Sequence, residues 1–392
     1  MGLVSPHGDE PSQVFAALMA GQSAVRPVFP ELAKPAAAAE AAFDEARWFT
    51  RLQLAGVDRV SRLAVAAADL ATRDAGLDGQ LASTNVGVYV GCGMGGGGSL
   101  EAAYRSGGRV PPLTIPAFMP NAPAAHVAMR LKVTGTVLTY SVACASSAVA
   151  ILEAAKAVRR GEVDVAIAGG SEALIVPGIT LAWQAMQTLA SVAPEEASSA
   201  CRPFAENRSG FVLGEGAAFV VLESEAHARQ RQARAHARLS GWGLSCDATH
   251  LSKPDAAGQA RALRAALQQA GLAPAQVGYC NAHGTATRVG DLVEAEALRT
   301  VWGDDLAGLR VSSTKALHGH LLGAAGALEA IVTVMALAQQ QLPPNMHCEK
   351  ADPAIGLNLV TQPGEAAAGL NAAISSSFAF GGTNATLLFE RY

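Results

Sequence analysis

The sequence predicts an α/β protein with mostly parallel or mixed sheets, on three observations. Strand-like and helix-like runs alternate along most of the chain. One strand–turn–helix design occurs twice, once in each half. The 392 residues, half of them hydrophobic, are enough for two domains or one fused double domain.

The elements read in order as follows. "VGVYVGCG" from Val86 is a strand ending in a glycine-rich turn, and "VLTYSVA" from Val137 is the next strand. "SSAVAILEAAKAVRRG" from Ser146 is a helix closed by basic residues and Gly161. "VDVAIAGG" from Val163 and "GEGAAFVVLES" from Gly214 are strands, and "SEAHARQRQARAHA" from Ser224 is a charged, solvated helix. In the second half "ARLSGWGLS" from Ala237, "VGYCNAHG" from Val277 and "LRVSSTKA" from Leu309 are strands. They alternate with helices in "GQARALRAALQQAGL" from Gly258, "DLVEAEALRTVWG" from Asp291 and "GAAGALEAIVTVMALAQQQ" from Gly323. "AAISSSFAFGG" from Ala372 and "ATLLFERY" from Ala385 are two strands around a turn. The repeated unit pairs "LTYSVACASSAVAILEAA" with "LRVSSTKALHGHLLGAAGALEA", which suggests a duplicated fold with its active site at the joint.

Bulk properties exclude several classes. The net charge is -4 with both signs mixed, and no basic block appears, so nucleic acid is not an expected partner. The most apolar window contains Glu329 and ends in glutamines, which reads as a buried helix, not a membrane span. The opening "MGLVSPHGDE" lacks the pattern of a signal peptide, so a cytoplasmic enzyme is expected. Six scattered cysteines form no C-x-x-C pair and share no zinc spacing with the nine histidines; no metal site is expected.

Cys144 lies between a strand and a helix. It is either a small buried hydrophobe or a thiol whose thiolate is stabilised by the helix N-terminus. His283 in "NAHGTAT", with Thr285 and Thr287, ends a strand. "SSTKALHGHLLGAAGALE" brings Lys315, His318, His320 and Glu329 together in sequence. "FAFGGTNA" is either a plain hairpin turn or a loop whose backbone approaches a substrate closely.

Together with "ACASS" from Ala143 and "RPFAENRSGFVLGEGA" from Arg202, these motifs run nearly end to end, and the chain resembles the β-ketoacyl-[acyl-carrier-protein] synthases of the elongating, Cys-His-His type, in the thiolase superfamily. The resemblance implies a five-layered αβαβα fold of two similar halves, here 1–232 and 233–392, with the site between them. It implies decarboxylative condensation of an enzyme-bound acyl group with malonyl on acyl carrier protein. The partners it implies are the carrier protein and a second synthase-like subunit, in a homodimer or heterodimer, and no metal or redox cofactor is required. By motif, Cys144 is the acyl-accepting nucleophile, and His283 and His320 drive decarboxylation. Lys315 supports the histidines with Glu329 as its acidic partner. Phe380 is the gate, its N–H forming an oxyanion hole with that of Cys144. Thr285 and Thr287 bind the pantetheine arm, and Leu100 in "GCGMGGGGSLEAA" sets chain length. His318 has no implied role.

Departures from the pattern are Ala379, where a glycine is usual beside the gate, and Ala205, where an aspartate is usual. The first Val/Ile-rich strand of the family has no counterpart in this reading, which predicts further residues upstream of Met1. The alternatives within the superfamily are a ketosynthase of a type II polyketide or aryl-polyene pathway and a non-catalytic chain-length factor. The last lacks the nucleophile, so Cys144 with both histidines argues against it. A thiolase needs a late second cysteine, absent from "FAFGGTNA", and a starter-using type III synthase has asparagine where His320 stands.

Overall fold

The computed structural model describes residues 1–34, 36–81 and 84–392. Two sheets carry the architecture. The first is built from β1 (Gly2–Val4), β2 (Val86–Gly91), β3 (Val137–Tyr140), β4 (Val165–Glu172) and β5 (Gly216–Glu223), in the order β3-β2-β4-β5-β1. The second is built from β6 (Ala237–Cys246), β7 (Tyr279–Asn281), β8 (Arg310–Ser312), β9 (Asn358–Leu359), β10 (Ala372–Phe378) and β11 (Thr383–Arg391), in the order β9-β8-β7-β10-β11-β6. The sheets share one plan. In the first, three parallel strands are followed by two antiparallel ones; the second repeats this and adds β9 as a fourth parallel strand at its edge. The repeat seen in sequence is a repeat of whole sheets.

The helices repeat too. α1 (Arg59–Asp74) and α2 (Ala122–Leu131) cover the outer face of the first sheet, and α4 (Ala256–Ala270) and α5 (Arg288–Trp302) that of the second. Between the sheets lie α3 (Ser146–Arg159) and α6 (Ala325–Gln339), packed on each other. Five αβαβα layers result. Local chemistry sets the helix ends: the Asp58, Asp255 and Thr287 side chains cap α1, α4 and α5 by accepting N–H groups of the first turn. The window Leu322–Gln339 is apolar and long enough to span a membrane, but 89% of it is buried in the fold, as expected of a central helix.

Two expectations need correction. The first strand is present: Gly2, Leu3 and Val4 pair antiparallel with Phe219, Ala218 and Ala217. β1 occupies the place that the ten-residue β6 takes in the second sheet. Three residues among polar and turn-forming neighbours carry too little alternation to read as a strand. The charged helix is also shorter than its sequence pattern, spanning Glu225–Gln230; Gln232 at φ 55 turns the chain toward β6.

Close packing at the centre depends on missing side chains. A Cβ on Gly91 would lie 2.2 Å from the Ser147 nitrogen, so β2 meets the first turn of α3 almost backbone to backbone. A Cβ on Gly326 would lie 2.9 Å from the Ala148 Cβ, where α6 crosses α3. Gly91→Ala should therefore force α3 off the sheet and destabilise the protein by about 1–3 kcal/mol. A lowered urea midpoint with unchanged slope would show this; an unchanged midpoint would mean that the helix start is free to move.

Candidate active site

The two central helices are entered by matching turns. A 3-10 turn, Ala143–Ala145, leads into α3, and another, Leu322–Ala324, leads into α6. Ala143 (φ 47) and Leu322 (φ 46) both hold a backbone conformation that side chains disfavour, each at a cost of about 1–3 kcal/mol. The strain delivers Cys144 and His320 to one point. Cys144 Sγ and one ring nitrogen each of His283 and His320 lie within 4.8 Å of one another. They stand in a cavity of about 700 Å³.

The imidazoles are held by the backbone. His320 Nδ1 accepts the Leu322 N–H at 3.3 Å, so the ring hydrogen sits on Nε2. That Nε2 is buried and has no partner among the described residues. His283 follows β7, and Glu294 accepts the N–H groups of His283 and Gly284, each at 2.7 Å. The two rings meet edge to face, 5.4 Å between centroids. Burial and the nearby Lys315 charge hold both imidazoles well below the usual histidine range. Both are therefore neutral donors across the physiological range. Histidines of an unfolded chain protonate near about pH 6.5, so stability tied to these two is present above that pH and lost as pH falls below it.

Lys315 and Glu329 form an ion pair with no solvent exposure. Lys315 starts the turn before His320, and Glu329 lies in the second turn of α6. Burial raises the Glu329 carboxyl while the Lys315 ammonium pulls it back down.

Cys144 departs from what its place at a helix start predicts. Burial pushes the thiol up to about 12, opposed by Lys315 and by the N–H groups of Phe380 and of Cys144 itself. Desolvation of a thiolate outweighs the helix dipole here. Both N–H groups act on the sulfur, next to where the oxygen of a bound thioester would lie.

Of the remaining predicted residues, Phe380, Thr285 and Thr287 line the cavity, and the two threonine hydroxyls lie 3.0 Å apart. Leu100 does not line it. It is 42% exposed on the helix Gly97–Arg105, because the glycine run before it left the register open in sequence. His318 Nδ1 donates to the Gly319 carbonyl and its Nε2 accepts from Thr314, a structural role outside the cavity. Sequence reading missed Trp183 and Phe211. Trp183 stacks on Phe380 at 6.1 Å and meets Phe211 edge-on at 5.3 Å, and Phe211 meets His320 at 5.5 Å. It also missed Glu172, which accepts backbone N–H groups from both halves. Only the third dimension brings these residues to the site.

By donor type Cys144, His283 and His320 could hold a divalent ion. The His320 tautomer opposes it: a ring ligating through Nε2 would carry its hydrogen on Nδ1, against the Leu322 N–H. The arrangement suits a thiol nucleophile facing two imidazole donors. Alkylation of Cys144 by iodoacetamide in the resting protein should rise roughly tenfold per pH unit, with no plateau below about pH 9. A plateau near neutrality, followed by peptide mass, would show a stabilised thiolate instead.

Comparison with known proteins agrees with this geometry. Residues 1–228 match the model of the beta-ketoacyl synthase N-terminal domain, and residues 236–349 that of its C-terminal domain. A 3-oxoacyl-[acyl-carrier-protein] synthase 2 of Coxiella burnetii is 37% identical over 404 aligned positions, covering 100% of this chain and 97% of that one. Nodulation protein E of Rhizobium meliloti is 42% identical, covering 87% of this chain and 84% of its own. The crystal structure of a beta-ketoacyl synthase from Burkholderia phymatum STM815 matches with a TM-score of 0.92 at 33% identity, over 100% of this chain and 98% of that one. Two matching halves, a shared fold over the full chain and a Cys-His-His cluster at their joint place this chain in the beta-ketoacyl synthase family, as an acyltransferase with the thiolase-like fold.

Proposed function

We propose that this chain condenses an acyl group held on Cys144 with a malonyl group delivered on acyl carrier protein, in fatty acid or related biosynthesis. The observation that carries this reading is the meeting of Cys144, His283 and His320 within 4.8 Å inside the cavity.

In the first half-reaction the Cys144 sulfur attacks the carbonyl of an acyl thioester. The S–H proton passes through an imidazole to the departing carrier thiolate, and one C–S bond replaces another. The oxyanion is held by the N–H groups of Cys144 and Phe380. A resting thiol near 12 makes this relay necessary, since little thiolate is present beforehand. In the second half-reaction malonyl thioester places its carbonyl oxygen against His283 and the Nε2–H of His320. Loss of CO₂ leaves an enolate on that oxygen, and each donor in a water-poor site lowers the barrier by about 3 kcal/mol. The enolate carbon attacks the acyl-Cys144 carbonyl, and the cysteine leaves as a thiolate that takes one proton from solvent.

The cavity mouth suits a phosphopantetheine arm and an acidic carrier. Thr285 and Thr287 offer hydroxyls, and Lys34, Lys253 and Arg288 supply cations. A solved neighbour, 25% identical with a TM-score of 0.90, is a type II polyketide ketosynthase in complex with its acyl carrier protein. The polyketide or aryl-polyene alternative draws support from two further neighbours: an ishigamide ketosynthase/chain length factor, and the ketosynthase ApeO with its chain length factor ApeC from Xenorhabdus doucetiae.

His320→Ala should stop malonyl decarboxylation yet allow Cys144 to be acylated, so that acyl-enzyme accumulates by intact mass. Cys144→Ala should take up no acyl group. A folded His320→Ala protein that cannot be acylated would contradict this division of labour.

The likewise proposed partner subunit is a second copy of this chain. β3 is an edge strand of the first sheet, with Val137 and Leu138 exposed and no partner on its outer side among the described residues. The neighbouring α2 and the helices Gly97–Arg105 and Thr114–Phe118 add exposed Met129, Leu100, Tyr104 and Ile115. An unpaired apolar edge strand is a template for pairing, and pairing with itself continues the sheet. Light scattering should give a dimer that Leu138→Lys weakens. A monomer that assembles only with a non-catalytic synthase-like chain would assign the heterodimer instead.

A further inference from the structure

Glu172 ends β4 with no solvent exposure and does not line the cavity. Its Oε2 accepts the Gly93 N–H at 2.8 Å and the Gly323 N–H at 3.0 Å, and its Oε1 accepts the Met94 N–H at 3.3 Å. Gly93 and Met94 belong to the first half, Gly323 to the turn that enters α6 in the second. The halves approach closely here: a Cβ on Gly323 would lie 2.5 Å from Glu172 Oε2 and 2.6 Å from the Gly93 nitrogen.

The bonds to Gly93 and Gly323 each lead toward a reacting group. The Gly93 carbonyl accepts the Ser141 hydroxyl at 3.0 Å, three residues before Cys144. Gly323 follows Leu322, whose strained backbone aims its N–H at His320 Nδ1. A folded chain does not spend a fully buried carboxylate on backbone N–H groups of two halves without gain, since desolvating it costs several kcal/mol. The gain on the page is the fixed position of the Leu322–Gly323 turn.

We propose that Glu172 is a positioning residue for decarboxylation: its Oε2 pins the Leu322–Gly323 turn to the Gly93 loop, so that the Leu322 N–H keeps His320 in the Nε2–H tautomer. The proposal rests on the role given above to His320. Glu172 touches no substrate and acts only through the turn. What matters is the acceptor at the Oε2 position, not the negative charge. A glutamine can place its carbonyl oxygen there and keep the Gly93 and Gly323 bonds, giving up only the longer one to Met94. A methionine of similar length has no comparable acceptor and frees the turn.

The test compares E172M and E172Q in the full-length protein, with malonyl-pantetheine as the probe. E172M should lower kcat for decarboxylation by about tenfold or more with KM changed less than about threefold, while single-turnover acylation of Cys144 changes by less than about threefold. E172Q should restore kcat to within about threefold of the original. With ¹⁵N-histidine, the ring signals of His320 should report Nε2–H in the native protein and in E172Q, and a tautomer mixture in E172M. A folded E172M with native kcat would overturn the proposal. So would equal losses in E172M and E172Q, or equal losses in both half-reactions. If E172M does not fold, the native tautomer with the E172Q rate decides: Nδ1–H at His320, or a crippled E172Q, refutes it. A native protein that never decarboxylates malonyl thioesters would refute the proposed function, while the tautomer comparison would still stand or fall separately.

Discussion

Everything at the site depends on the direct contact of α3 and α6 between the two sheets. Because Gly326 lets α6 approach Ala148, the entry turns of both helices come to the same place. A wider crossing would leave Cys144 and His320 in separate halves, each with a strained turn and no shared chemistry. Both sheets supply strands behind these helices, and the largest apolar cluster runs from one sheet through both helices to the other. The strained residues Ala143 and Leu322 are followed closely by residues of this cluster, Ala145 and Ala324, which hold the turns in place.

The second constraint is electrostatic. Lys315 and Glu329 are taken wholly out of water, where breaking such a pair costs about 3–5 kcal/mol. The pair does not stabilise the fold cheaply, since two apolar residues could fill the space. Its ammonium, however, discourages a second positive charge on His283 or His320 and favours negative charge at Cys144. Burial, helped by this one cation, keeps the two imidazoles neutral, and the cation partly offsets the cost of charge on sulfur. Glu294 and Glu172 supply the complementary service to the backbone, accepting N–H groups around His283 and beside His320.

The sequence was most legible where local chemistry and long-range packing agree. The duplicated strand–turn–helix unit, the buried character of "GAAGALEAIVTVMALAQQQ" and the ordered motifs around Cys144, His283 and His320 all correspond to the observed repeat and cluster. Elements that take their shape from neighbours were not legible. β1 is three residues long and exists because β5 presents an edge to it. α1 is a different case: Asp58 caps it, and Arg59, Arg62, Arg73 and Asp74 form a polar stripe opposite a buried alanine-rich face, a signal that the sequence reading passed over. Leu100 follows four consecutive glycines, which offer no periodicity from which to count. Glu172, Trp183 and Phe211 are distant in sequence from the motifs they meet. The state of the Cys144 thiol stayed open in sequence because a helix start can be seen there, whereas the depth of burial that overrides it cannot.

That burial has a consequence for how the protein survives in a cell. Peroxides, disulfides and electrophilic metabolites attack thiolates far faster than thiols. A nucleophile kept protonated inside a cavity at neutral pH is chemically quiet toward all of them, although the channel to it is open. In the proposed reaction it becomes reactive when a thioester arrives with a carbonyl that fits the two N–H groups and a leaving sulfur that can take the proton. Under the proposed function, the chain protects its nucleophile by withholding the charge rather than by closing the door.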